Sequence, residues 1–258
     1  MVRLISYNIE YCEGMEGIWY QYLYVWRIFF PPKKVNEEII DELKKIKPDI
    51  LTLIEVDTGS FRNKGKDEVR FVEKSLHLKN FVEKIKYPLH GWLKLFHHVP
   101  VLNKQANAII SRYPIINHKY HVLHEGTKRV IIEVTVKCPQ KVTLLAAHLA
   151  LGKETRAQQI KELIKIVNSI KNPVILMGDF NTFNGDEEIQ ELLKRTHLSD
   201  KIKLDKESVP FTEPAWHPTR RLDYILTSHQ INVKKYSVLH FAFSDHLPLM
   251  IDFTLRNR

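Results

Sequence analysis

The chain reads as an α/β protein of the α+β kind, with two packed mixed sheets flanked by helices. Ten short runs rich in β-branched and apolar residues recur between residues 2 and 255, and four segments at helical spacing interrupt them. The second half holds many consecutive strands with few helices. A purely parallel doubly wound sheet would alternate strand and helix throughout, so two sheets suit this order better.

Strands are expected at residues 2–7, 50–55, 81–85, 107–111, 130–137, 142–148, 174–177, 222–227, 231–238 and 249–255. The first ends in polar groups at Asn8, and the second is the apolar run Leu51-Thr52-Leu53-Ile54 closed by Glu55. Helices are expected at residues 36–46, 67–76, 155–169 and 187–195. In the first, Glu37-Glu38, Asp41-Glu42 and Lys44-Lys45 mark a solvated face. In the third, Ile160, Leu163, Ile164 and Val167 form an apolar stripe while Lys161, Glu162 and Lys165 face outward. Pro173 then stops the helix before the next strand.

At 258 residues, with 44% hydrophobic and 27% charged residues, one large core suffices, so a single domain over 1–258 is expected. The start lacks the pattern of a signal peptide, and no apolar run approaches the roughly 20 residues of a membrane span. Cys12 and Cys138 form neither a disulfide framework nor a metal-binding spacing and are expected to pack as apolar groups. A cytoplasmic location and a monomer follow as expectations. The net charge of +9 favours an anionic partner, nucleic acid or acidic lipid, although the lysines are scattered among glutamates. Abundant Lys and Glu with few Cys and Met also suits a heat-adapted protein.

The chemistry gathers at strand ends. Gly178-Asp179-Phe180-Asn181 closes one strand, and Ser244-Asp245-His246 precedes the last. Carboxylates and a carboxamide suit a hard cation beside a phosphate ester, with a group to orient water and a donor to the phosphoryl oxygens. Asn8 and Glu55 sit where ligands bind at the mouth of a sheet, though Glu55 also reads as an ordinary turn residue. His148 ends its strand either as a hydrogen-bonded core residue or as part of a site. Arg156 is suited to an oxyanion or to surface charge, and Asn107 to a phosphate or a turn. Asp223, within an apolar run, wants a partner: His246, whose tautomer it would fix, or Arg221.

In order, Asn8, Glu55, His148, Gly178-Asp179-Phe180-Asn181, Leu222-Asp223-Tyr224-Ile225 and Ser244-Asp245-His246 resemble the endonuclease/exonuclease/phosphatase superfamily, the DNase I-like fold. Asn107-Ala108-Ile109-Ile110-Ser111-Arg112-Tyr113-Pro114 is similar to its middle strand motif, so the resemblance covers nearly the whole chain. It implies a four-layer α/β/β/α sandwich and a divalent-metal-dependent phosphoesterase, with magnesium as cofactor and manganese as a substitute. It further implies Glu55 as main metal ligand with Asn8 beside it and Asp245 as ligand or neighbour. Asp179 would orient or deprotonate the attacking water, held by Asn181. His246, paired with Asp223, would stabilise developing charge, and His148, Asn107 and Asn181 would bind phosphate oxygens. Many members carry Gln before the metal-binding Glu, where this chain has Ile54. The exonuclease III and abasic-endonuclease branch usually lacks a histidine at the position of His148, so the resemblance does not put abasic-site repair first.

An aromatic stretch at residues 17–32, dense from Trp19 to Phe30, reads as a packing segment, a surface for a phospholipid membrane, or a stacking platform for unpaired bases. Residues 89–98 are expected to share its rim, with His90, His97 and His98 in a solvated loop. Two classes of function stand. One is a phosphoesterase acting first on nucleic acid, then on phospholipid headgroups or small phosphate esters. The other is a non-catalytic binding protein on the same scaffold, which the presence of Glu55, Asp179 and His246 disfavours.

Overall fold

The computed structural model describes residues 1–12, 34–85, 104–202, 211–241 and 243–256. In chain order they form β1 (Val2–Asn8), α1 (Val35–Ile46), β2 (Ile50–Asp57), α2 (Glu68–Leu76), β3 (Asn80–Ile85), β4 (Gln105–Ser111), β5 (Ile115–Val122) and β6 (Val130–Cys138). Then follow β7 (Gln140–His148), α3 (Lys153–Ser169), β8 (Val174–Asp179), α4 (Gln190–Arg195), β9 (Leu198–Asp200), β10 (Asp223–Ser228), β11 (Ile231–Val238) and β12 (Leu249–Leu255). The aromatic stretch at 17–32 and the histidine-bearing segment at 89–98 lie outside the described residues.

The strands make two six-stranded sheets, ordered β11-β12-β1-β2-β4-β3 and β5-β6-β7-β8-β10-β9. At the centre of each sits a parallel pair, β1 with β2 and β7 with β8, while the other neighbours run antiparallel. Because side chains alternate along a strand, each inner strand feeds two cores. Leu4, Ile50, Leu144, Ala146 and Met177 pack between the sheets. Ile5, Leu51 and Leu53 turn the other way onto Ile39, Ile40 and Leu43 of α1 and Val69 and Val72 of α2. Leu145, Ala147 and Leu176 face Ile160, Leu163, Ile164 and Val167 of α3 and Leu192 of α4. Helix, sheet, sheet and helix therefore stack in four layers, as expected. Both faces of these central strands are covered, so they read as unbroken apolar runs rather than as alternation.

Two strands escaped the sequence reading. β5 is an edge strand and mostly exposed, so it shows no apolar period; β9 is only three residues long. The helix expected at 187–195 begins as a 3₁₀ turn, Asp186–Ile189, before α4. Cys12 and Cys138 are buried free thiols within the cores, matching their expected packing role. No helix among the described residues is long and apolar enough to cross a membrane.

Candidate active site

The four central strands place their C-terminal residues together. Asn8 ends β1, Glu55 lies near the end of β2, His148 ends β7 and Asp179 ends β8. Asn8 Nδ2 donates to Asp179 Oδ2 at 3.2 Å, which joins the two sheets at this rim. His148 and Asp179 are register partners, and His148 Nε2 lies 3.3 Å from Asp179 Oδ2. Glu55 Oε1 is 3.8 Å from His148 Nδ1. On the far side of β8, Asp179 faces Asp223 across the antiparallel pair with β10, and Asp223 Oδ2 is 2.7 Å from His246 Nδ1.

Local backbone devices aim these groups. The β2–β4 register shifts between Leu53 and Val56, a bulge that absorbs Ile54 and Glu55. Glu55 adopts φ 61°, and its N–H donates to Asn107 Oδ1 at 3.2 Å. A bulge next to a left-handed residue re-aims one side chain, here the Glu55 carboxylate. Asn181, also left-handed at φ 53°, donates its N–H to Asp179 Oδ1 at 3.0 Å and its side-chain amide to Leu149 O at 2.9 Å. Asn tolerates this conformation because its short amide bonds locally. Ser244 Oγ donates to Asn8 O at 2.8 Å and tethers the Ser244-Asp245-His246 turn to β1.

Gly178 is required for a different reason. Its φ is 133°, and a Cβ there would lie 2.0 Å from Ala147 O. The strands carrying His148 and Asp179 touch at this point, so Gly178→Ala is expected to cost about 3 kcal/mol or more in urea unfolding. A loss below about 1 kcal/mol would mean that the close approach is not needed.

Electrostatics divide the carboxylates. Burial alone would raise the Asp179 pKa, but the hydrogen bond from His148 and the charges of His246, His148 and Lys128 hold it well below the carboxylate range. Burial pushes the Asp245 carboxyl up to about 6, against the pull of His246 and helped by Glu55, Glu213 and Asp179. For His246, burial opposes the charged form, yet Asp223, Asp245 and Asp179 outweigh it and lift the imidazole well above its ordinary value. Asp223 Oδ2 holds His246 Nδ1, and the ring's other nitrogen, Nε2, lies 3.8 Å from Asp245 Oδ1.

Eight of the ten expected residues are joined by hydrogen bonds, ion pairs and the β8–β10 pairing: Asn8, Glu55, Asn107, His148, Asp179, Asn181, Asp223 and His246. Asp245 flanks them through His246. Asn107 Nδ2 is buried without a hydrogen-bond partner among the described residues, a donor left over after Oδ1 braces the bulge. Arg156 departs from its expected role as an oxyanion holder. Its guanidinium is spent on Glu188, at 2.6 Å, and on Ala150 O and Leu151 O, because a buried cation must be matched by the protein itself. It shapes the loop after His148 instead. Arg221, the rival partner for Asp223, binds Asp200 at 2.6 Å and stacks over Tyr224.

Lys128 was missed. Its Nζ is hydrogen-bonded to His148 Nε2 and lies 4.0 Å from Glu55 Oε1. In the sequence it is one lysine in a polar turn, Glu125-Gly126-Thr127-Lys128-Arg129, with nothing to set it apart.

A four-layer sandwich with carboxylates, imidazoles and amides at one rim is the DNase I-like fold. Residues 5–246 match the Endonuclease/Exonuclease/phosphatase family, and the chain belongs to it. A UPF0294 protein of Yersinia pseudotuberculosis is 26% identical over 157 residues, 60% of this chain and 50% of that protein. The matched region thus spans about half the length of this curated relative. An endonuclease/exonuclease/phosphatase family protein from Bacteroides thetaiotaomicron superposes with a TM-score of 0.74 at 16% identity, covering 99% of this chain and 98% of its own. The mannosyl-6-phosphatase of the same species gives 0.72 at 16%, covering 99% and 100%.

Proposed function

We propose that this chain is a nuclease that hydrolyses phosphodiester bonds of DNA or RNA by in-line attack of water. The observation that carries the reading is the meeting of Glu55, His148, Asp179, Asp223 and His246 at one rim, from strands far apart in sequence. Asp179 is stabilised as an anion, so it is a poor base and serves best by orienting water. His246, held at Nδ1 by Asp223 and raised above its ordinary value by the surrounding carboxylates, would offer Nε2–H to the oxygens that gain charge in the transition state. Asn107 Nδ2, a buried donor with no partner among the described residues, would serve a remaining phosphoryl oxygen, while His148 Nε2 supports Asp179.

A hard divalent cation fits this rim. Glu55, Asp179, Asp223, Asp245 and Glu213 gather here, and Glu55, Glu213 and Asp179 add to the upward shift that burial gives Asp245. Glu55, Asn8 and Asp245 would hold it, all through oxygen, which suits magnesium or manganese. Held there, it would supply polarisation of a phosphoryl oxygen and neutralisation of developing charge.

Nucleic acid leads among substrates because the chain carries a net charge of +9. A second reading, phospholipid headgroups or small phosphate esters, draws support from three exposed apolar residues: Leu151 and Phe183, which follow His148 and Asn181 closely in sequence, and Trp216, which follows Ala215, bonded to Asp245 O. A panel of single- and double-stranded DNA, RNA, bis(p-nitrophenyl) phosphate, sphingomyelin and phosphoinositides separates them. Turnover of nucleic acid is expected, with affinity falling more than about tenfold between 50 and 200 mM salt. Turnover of lipid alone, insensitive to salt, would replace the first reading with the second.

A further inference from the structure

We propose that Lys128 is a catalytic residue that contacts the phosphoryl oxygens of the substrate, and that buried Gln159 is the positioning residue holding it at the site. The proposal rests on the phosphoesterase reading above and adds two residues to it.

A lysine in a surface turn ordinarily extends into water, where its ammonium is best solvated. Lys128 instead folds inward, with its side chain only 14% exposed and its ammonium against His148 and Glu55. His148 Nε2 cannot accept from Lys128 and donate to Asp179 at the same time, so these two neighbours compete for opposite tautomers. An anionic phosphoryl oxygen is a stronger acceptor for an ammonium than an imidazole nitrogen. A substrate phosphate at this rim therefore takes the Lys128 contact and leaves His148 Nε2 to Asp179.

The turn is built to keep Lys128 there. Gln159 of α3 is fully buried, and its Nε2 donates to Glu125 O at 2.8 Å and Lys128 O at 2.9 Å. Its Oε1 accepts the N–H of Ala150 at 2.8 Å, two residues past His148. One side chain thus staples the Lys128 turn to the loop that follows His148. Leu123 N–H to Arg129 O, at 2.9 Å, closes the turn at its base. Gly126 has φ 84°, and a Cβ there would come within 2.9 Å of Thr155 Cγ2 and 3.0 Å of Gln159 Nε2, so the turn lies tight against α3.

The test compares Lys128→Met, Lys128→Arg, Gln159→Leu, Gly126→Ala and the Lys128→Met/Gln159→Leu double variant. The readouts are kcat and KM on bis(p-nitrophenyl) phosphate and calorimetric affinity for inorganic phosphate. Lys128→Met should lower kcat/KM by about 30-fold or more and weaken phosphate binding by about tenfold, while Lys128→Arg recovers most of the loss. Gln159→Leu should cost about tenfold alone and less than about twofold in the Lys128→Met background, since it acts through Lys128. Gly126→Ala would push the same turn off α3 and Gln159, and should mimic Gln159→Leu. The proposal is overturned if Lys128→Met stays within twofold of native on both readouts, or if Gln159→Leu costs the same factor in both backgrounds. If the native chain turned over no ester, the functional reading would fall, while phosphate affinity would still decide for or against Lys128.

Discussion

Asp179→Ala is expected to lower kcat by about a thousandfold or more while ligand affinity stays within a few-fold of native. The carboxylate is 2% exposed and gathers donors from Asn8, His148 and both amides of Asn181. Its charge is thereby held on the atom that would face the attacking water. Truncation also leaves those donors unpaired, so a loss of stability accompanies the loss of rate. Asp179→Asn separates the two effects: it keeps the volume and one carbonyl oxygen but removes the anion. The same collapse of kcat is expected with a smaller fall in melting temperature. Retention of more than about a tenth of native kcat in the Asn variant would remove Asp179 from the chemistry.

The second large effect concerns the divalent ion. Chelation by EDTA should reduce turnover by about a thousandfold or more, and excess magnesium should restore it, because charge neutralisation on the phosphoryl group is lost and regained. Glu55→Gln should raise the magnesium concentration for half-maximal rate by about a hundredfold, and calorimetry should show the same weakening without substrate. The reason is local. The bulge at Ile54–Glu55 turns this carboxylate into the rim, and an amide in its place keeps the shape but gives up the charge that attracts a cation. Full activity in EDTA would falsify the metal assignment while leaving the Asp223–His246 pair to be explained another way.

Much of the framework was legible in the chain itself. Ten of the twelve strands among the described residues stand out as runs rich in apolar and β-branched residues, the central ones most clearly because both their faces are covered. β5 stayed silent because an edge strand needs no apolar face, and Ile115-Ile116-Asn117-His118-Lys119 looks like loop. Site residues were legible where a polar group interrupts or ends such a run, as with Glu55, His148, Asp179 and Asp223. Arg156 and Lys128 were not. An arginine early in a helix and a lysine in a turn look alike in sequence, and only packing shows that the first is consumed by Glu188 while the second reaches His148.

What the linear chain decided by itself is the period and placement of its strands and the presence of polar groups at their ends, because both follow from local sterics and from which faces lose water. What tertiary structure decided is which of those ends share a rim. Asn8 and Asp179 are 171 residues apart, yet they hydrogen-bond because two parallel strand pairs end side by side. Contact across such a separation depends on sheet order and register, and these are settled only when the two sheets pack.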